Sequence, residues 1–98
     1  MTSTTSETLT LALHNEAEIE AIHKRVKRAQ GQIAGITRML EEGRTCEEIV
    51  TQMSAVSKAI KTAAISLISA SLKECLESDH PDTALITARL QKLFLSLA

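Results

Sequence analysis

Seven apolar residues, Ile19, Ile22, Val26, Ala29, Ile33, Ile36 and Leu40, recur at alternating steps of three and four. That spacing keeps side chains on one face of an α-helix and would scatter them over both faces of a strand. A helix is therefore expected from about Glu16 to Glu42. Asn15 followed by Glu18 suits its N-cap, and Gly43 supplies the left-handed residue that ends a helix at little cost. Thr45 with Glu48 forms a second capping box, ahead of a second seam of Cys46, Ile49, Met53, Val56, Ile60, Ala63, Leu67 and Ala70. A parallel stripe of Ala64, Ile65, Ile68, Leu72 and Leu76 widens the apolar face, so helix two is expected from about Cys46 to Glu77 and buried on more than one side. The stretch from Ser78 to Pro81 closes it, with Pro81 expected in the first turn of helix three. That helix carries Ala84, Leu85, Ala88, Leu90, Leu93, Phe94 and Leu97.

Composition agrees with an all-α fold of three helices. Phe94 is the single aromatic, and three glycines and one proline leave little material for the turns of an all-β chain. The Thr- and Ser-rich start reads as a mobile tail over residues 1–14, and residues 15–98 as one helical domain. Helices of roughly 40 and 48 Å, at 1.5 Å per residue, are too long for the third to cover. An antiparallel dimer built as a four-helix bundle would bury both seams.

Net charge is −1, but the charges are separated. Residues 1–23 hold four acids and no Lys or Arg, whereas residues 24–61 hold eight bases against four acids. Such a zone gains strength when protomers assemble, and the plain alternative is a solvated helix face. No apolar run is expected to reach the roughly 20 residues of a membrane span, and the N-terminus lacks a basic leader start. A cytoplasmic protein without a membrane partner is the expectation. There, two cysteines suit ligand, redox or buried-thiol roles better than a structural disulfide.

Cys46 and Cys75 fall on the same expected helix, about 43 Å apart along its axis and within about 20° of one face. They cannot join within one chain. In an antiparallel two-fold pair of these helices, facing Cys46 with the partner's Cys75 puts the axis between Ile60 and Lys61, close to the middle of the helix. Inert buried thiols are the alternative. Cys46 follows the cap Thr45, where first-turn amides and Arg44 favour thiolate and Glu47 and Glu48 oppose it. Cys75 has the helix dipole against it. Cys46 is thus the expected attacking thiol and Cys75 the resolving one.

The run Arg25-Val-Lys-Arg-Ala-Gln-Gly-Gln-Ile-Ala-Gly-Ile-Thr-Arg-Met-Leu-Glu-Glu-Gly-Arg-Thr-Cys46, followed by Thr51-Gln-Met-Ser-Ala-Val, closely resembles the CsoR/RcnR repressors over roughly residues 16–97. The resemblance implies an antiparallel four-helix-bundle homodimer assembling to a flat homotetramer. It further implies operator double-stranded DNA bound without a helix-turn-helix, and an inducer acting at interfacial cysteines. Copper(I) sensors of the family carry a Cys early in helix two and His-x-x-x-Cys near its end; here these are Cys46, Ser71 and Cys75. The positions of the Tyr and Glu that support the ligands in those sensors correspond to Thr45 and Gln91. Ser71 is a poor ligand for a soft cuprous ion. Two Cys without the His resembles the CstR-like branch, which senses persulfides and polysulfides by a sulfur bridge between protomers.

Formaldehyde sensors pair an N-terminal Pro with the first Cys, whereas this chain has Thr2 and a longer tail. Nickel and cobalt members use extra His ligands; His14 and His23 are positioned for that, but lone helix histidines are more often solvated. His80 reads as an inter-helix residue, and Met39 and Met53 as core. The DNA candidates are Lys24, Arg25, Lys27, Arg28, Lys58 and Lys61, with Gln30 and Gln32 as possible hydrogen-bonding partners. Without aromatics to stack on bases, phosphate contact and DNA shape should dominate. The expected function is a persulfide-released repressor with no cofactor and no catalytic residues. A copper(I) repressor with Cys46 and Cys75 as ligands is the alternative in the same class. A helical oligomerisation module without a DNA target is the alternative outside it.

Overall fold

A computed structural model describes residues 13–78 and 81–97. Residues 1–12 of the expected tail over 1–14, and His80, lie outside the described residues. Three helices follow in order: α1 (Glu16–Glu42), α2 (Cys46–Glu77) and α3 (Thr83–Ser96). The described residues contain no strand.

The caps form where local chemistry demands them. Asn15 Oδ1 accepts from the Glu18 amide at 3.0 Å, satisfying one of the free N–H groups at the start of α1. Gly43 takes φ 71°, and the amides of Gly43 and Arg44 return to the carbonyls of Leu40 and Met39 in a Schellman arrangement. A side chain at Gly43 would meet open space, so only its positive φ calls for glycine. Thr45 and Glu48 complete the reciprocal capping box of α2. Pro81 differs from expectation: α3 begins at Thr83 with Asp82 at the cap, so the proline precedes the cap instead of entering the first turn.

α1 and α2 form an antiparallel hairpin, and α3 packs on α2 without touching α1. The rod measures 54 × 27 × 25 Å, with a radius of gyration of 17.3 Å. A compact chain of this length would have about 13 Å.

The two seams divide at every heptad. Ile22, Ala29 and Ile36 on α1 turn inward, and so do Ile49, Val56, Ala63 and Ala70 on α2. Ile36, Ile49 and Val56 cluster, with Met39 packed against them. The alternate positions stay exposed: Ile19, Val26, Ile33 and Leu40 on α1, and Cys46, Met53, Ile60 and Leu67 on α2. At 100° per residue each exposed row is rotated about 50° from its buried row, in the same sense on both helices. Because the helices run antiparallel, both rows point to the same side of the hairpin. One protomer therefore presents a continuous apolar face that its described residues do not cover.

The expectation that no apolar run reaches a membrane span does not hold for α2. By length and composition, α2 is apolar enough to cross a membrane. It serves α1, α3 and the uncovered face at once, so apolar residues occupy three of its sides. Lys58 and Lys61 stand near its middle, where a bilayer would make two charges costly.

Candidate sensor and nucleic-acid interface

Cys46 opens α2 and is exposed, at one end of the uncovered row. Its electrostatic setting differs from the sequence expectation. Arg44 does not stand free beside the thiol: its guanidinium donates to Glu48 at 2.7 Å and lies 3.7 Å from Glu42. Glu48 is held at about 2, first by the Arg44 hydrogen bond and then by the Thr45 amide and hydroxyl. Glu48 first, and Glu42 to a lesser degree, raise Arg44 in turn. Arg44 and Glu48 therefore largely cancel, and the guanidinium is not left free to face the thiol.

Cys75 is fully buried in the last turns of α2, with Ser71 buried one turn before it. Glu74 faces α1, and Cys75 lies about 100° farther round the helix. Since α1 and α3 are the helices packed on α2, the thiol sits on the side that α3 covers, where Ile86 is also fully buried. The hydroxyl of Ser78 donates to the Cys75 carbonyl at 3.1 Å, and the Ser78 amide to Glu74 O, closing the helix end. About 30 residues of α2 separate the two thiols, so the protomer brings neither to the other.

Sequence reasoning missed Glu74. Its carboxylate accepts from the His14 amide at 2.9 Å and from the Asn15 amide at 2.5 Å, with His14 Nδ1 at 3.6 Å. These bonds, led by that from the His14 amide, hold the Glu74 carboxyl below its usual range. The contact spans some sixty residues, and no local pattern signals it.

Lys24, Arg25, Lys27, Arg28, Lys58 and Lys61 are all exposed. The antiparallel register sets Lys58 and Lys61 level with the Lys24–Arg28 segment to within about a turn. Arg25, Arg28 and Lys24 turn away from the uncovered apolar face, while Lys27, Lys58 and Lys61 occupy the outer edges of the hairpin. No acid lies between Glu20 and Glu41 on α1 or between Glu48 and Glu74 on α2. Among the described residues, the middle of the rod thus carries positive charge without an acid on α1 or α2 beside it. Gln30 is exposed; Gln32 is half-buried, and its Oε1 has no partner within the protomer.

Among the described residues no three His, Cys, Asp or Glu side chains gather as a metal site. His14 engages Glu74, and His23 is exposed on α1. Met39 packs on the core as expected, whereas Met53 belongs to the uncovered row. At the two positions that correspond to a copper sensor's ligand-supporting Tyr and Glu, Thr45 is committed to capping α2 and Gln91 is exposed on α3.

Comparison with known proteins gives a consistent result. The model of a family described as metal-sensitive transcriptional repressor matches residues 18–95. The copper-sensing transcriptional repressor RicR of Mycobacterium tuberculosis is 42% identical over 53 residues, 54% of this chain and 55% of RicR. The copper-sensing transcriptional repressor CsoR of Bacillus subtilis is 37% identical over 71 residues, 72% of this chain and 70% of CsoR. The match thus spans about half the length of the first relative and over two thirds of the second. No solved structure matches.

Proposed function

The chain belongs to the metal-sensitive transcriptional repressors, the CsoR/RcnR family, which are not enzymes, and on that premise we propose that it is an operator-binding repressor released when persulfide joins Cys46 of one protomer to the partner's Cys75. The observation that carries the proposal is the uncovered row on α2. Under a two-fold axis at Ile60, Met53 faces the partner's Leu67, Ile60 faces itself, and Cys46 falls beside the partner's Glu74 and Cys75. A row that maps onto itself this way suits an isologous dimer. The axis lies within about a residue of the one that the cysteine spacing alone implies. Two such dimers as a tetramer would multiply the basic middle of the rod along DNA, and the exposed Leu85, Leu93, Phe94 and Leu95 of α3 offer further apolar surface for that step. A DNA target also implies an intracellular location.

The chemistry follows from exposure. The Cys46 thiolate is accessible, so it attacks the outer sulfur of R–S–SH, forming Cys46–S–SH and releasing R–S⁻. The partner's Cys75 thiolate then attacks the inner sulfur, forming the Cys46–Cys75 disulfide and expelling HS⁻. If Cys75 is itself first persulfidated, the two persulfides condense to a trisulfide and H₂S. The sulfane sulfur supplies the oxidising equivalents, so no other oxidant is needed.

Copper(I) is the second reading, favoured by the copper-sensing relatives. Ser71 weighs against it, because a hydroxyl is a poor third ligand beside two thiolates. The deciding experiment exposes the reduced protein in parallel to glutathione persulfide, cuprous ion and formaldehyde, with intact mass and operator release measured on each sample. Covalent dimer and release with persulfide alone support the proposal. Tight binding of one cuprous ion per protomer with release, and no response to persulfide, would replace it with the copper reading.

A further inference from the structure

Apart from the sensing thiols and the basic belt, a long-range polar contact ties the start of α1 to the end of α2. Glu74 takes the amides of His14 and Asn15 on its carboxylate, and Asn15 in turn caps α1 through the Glu18 amide. A side chain near the end of α2 thus holds the start of α1. Free amides at a helix start are strong donors, and a carboxylate is their preferred acceptor.

Glu74 is also the residue next to Cys75. Cys75 is fully buried on the α3 side of α2, whereas the Cys46 thiol it would join belongs to another chain. Joining them requires Cys75 to leave its seam. The last turns of α2 are one hydrogen-bonded segment in which Ser78 bonds back to Glu74 and Cys75, so displacing Cys75 displaces Glu74 with it. Hydrogen bonds of 2.5 to 2.9 Å do not survive a shift of an ångström or more. Lys24 to Arg28 begin nine residues beyond Asn15, about 14 Å along the same helix.

We propose that Glu74 is the positioning residue through which the state of Cys75 reaches the basic segment of α1: its clamp on His14 and Asn15 is closed in the reduced protein and opens when Cys75 is bridged. The inference rests on the thiol-sensing function proposed above and names the link within it. In reduced protein the clamp fixes the start of α1, keeping the basic segment in its operator-binding position. Bridging withdraws the carboxylate and leaves the cap of α1 on Asn15 alone.

The test measures operator Kd for reduced and bridged protein in the wild type, Glu74→Ala and Glu74→Gln. Glutathione persulfide is one bridging reagent. Diamide is the other; it takes two electrons and two protons from the thiol pair to give the disulfide and a hydrazine. Allosteric coupling in proteins is typically about 5- to 150-fold. Glu74→Ala should shrink the bridged-to-reduced Kd ratio at least fivefold, chiefly by weakening the reduced form, and Glu74→Gln should fall between. A merely structural residue would lower the thermal midpoint and move both Kd values together, leaving the ratio intact. Amide hydrogen exchange on the wild type adds a readout that needs no variant: His14 and Asn15 should be protected when reduced and should lose protection when bridged. An unchanged ratio in Glu74→Ala, or equal protection in both states, overturns the inference while leaving thiol sensing in place. If neither reagent bridges the wild type, the sensing function falls and this inference falls with it.

Discussion

Ile60 offers the sharpest perturbation of the proposed assembly, since it stands on the axis and meets its own copy. In the protomer Ile60 remains 44% exposed. Complete burial of an isoleucine side chain is worth about 2 to 3 kcal/mol, so covering the exposed part contributes about 1 kcal/mol per protomer and about 2 for the symmetric pair. Ile60→Ala should therefore raise the dimer dissociation constant about thirty-fold. Ile60→Asp should do far more, because it adds two like charges across a closing apolar interface. Sedimentation velocity over a concentration series under reducing conditions reads both, with circular dichroism reporting whether the helices persist. A helical Ile60→Asp protein that dimerises as tightly as the wild type would show that the axis does not pass through this row.

Three further outcomes are expected. Replacing Arg25 and Lys27 with Ala should weaken operator binding and make its salt dependence shallower, by about 0.9 in log–log slope for each phosphate no longer neutralised; an unchanged slope would move the DNA surface elsewhere. Glu48 titrates at about 2 in the folded chain against 4.5 ordinarily, so its contribution is complete above 4.5 and lost as pH falls toward 2. Glu48→Gln should accordingly flatten acid unfolding across that window, and identical acid transitions in both proteins would count against the Arg44–Glu48–Thr45 cluster. Ser71→His restores an imidazole one turn before Cys75 and should raise cuprous affinity, as measured by competition with a chelator; no gain would mean that the thiols are not arranged as in a copper site.

Local chemistry made much of this fold legible. Both bounds of α1 and the start of α2 follow from Asn15, Gly43 and the Thr45–Glu48 box, each acting within four residues. The start of α3 was less so, because proline fixes its own φ without specifying whether the helix begins at once or after another residue. Periodicity revealed both seams but not their division. Which heptad position packs within the chain depends on how α1 and α2 face each other, and a single helix carries no record of that. The burial of Cys75 depends on α3, and the Glu74 clamp joins residues some sixty positions apart, so neither leaves a local trace. Proximity in sequence places Arg44 beside the thiol, yet Glu48, one turn along, is its better partner.

The proposed sensing pair is completed between chains, which the mixing of two half-sites examines without other assumptions. Cys46→Ala retains Cys75, and Cys75→Ala retains Cys46. In an antiparallel dimer of either variant alone, the two remaining thiols stand at opposite ends of the bundle, about 43 Å apart by the length of α2. In a heterodimer of the two, one Cys46–Cys75 site is whole. After unfolding and refolding the mixture together and adding glutathione persulfide, non-reducing gels and peptide mass mapping should show a covalent dimer joined through Cys46 and Cys75. Each variant alone should remain monomeric on the gel. Efficient covalent dimers from either variant alone, or none from the mixture while the wild type bridges fully, would contradict the account.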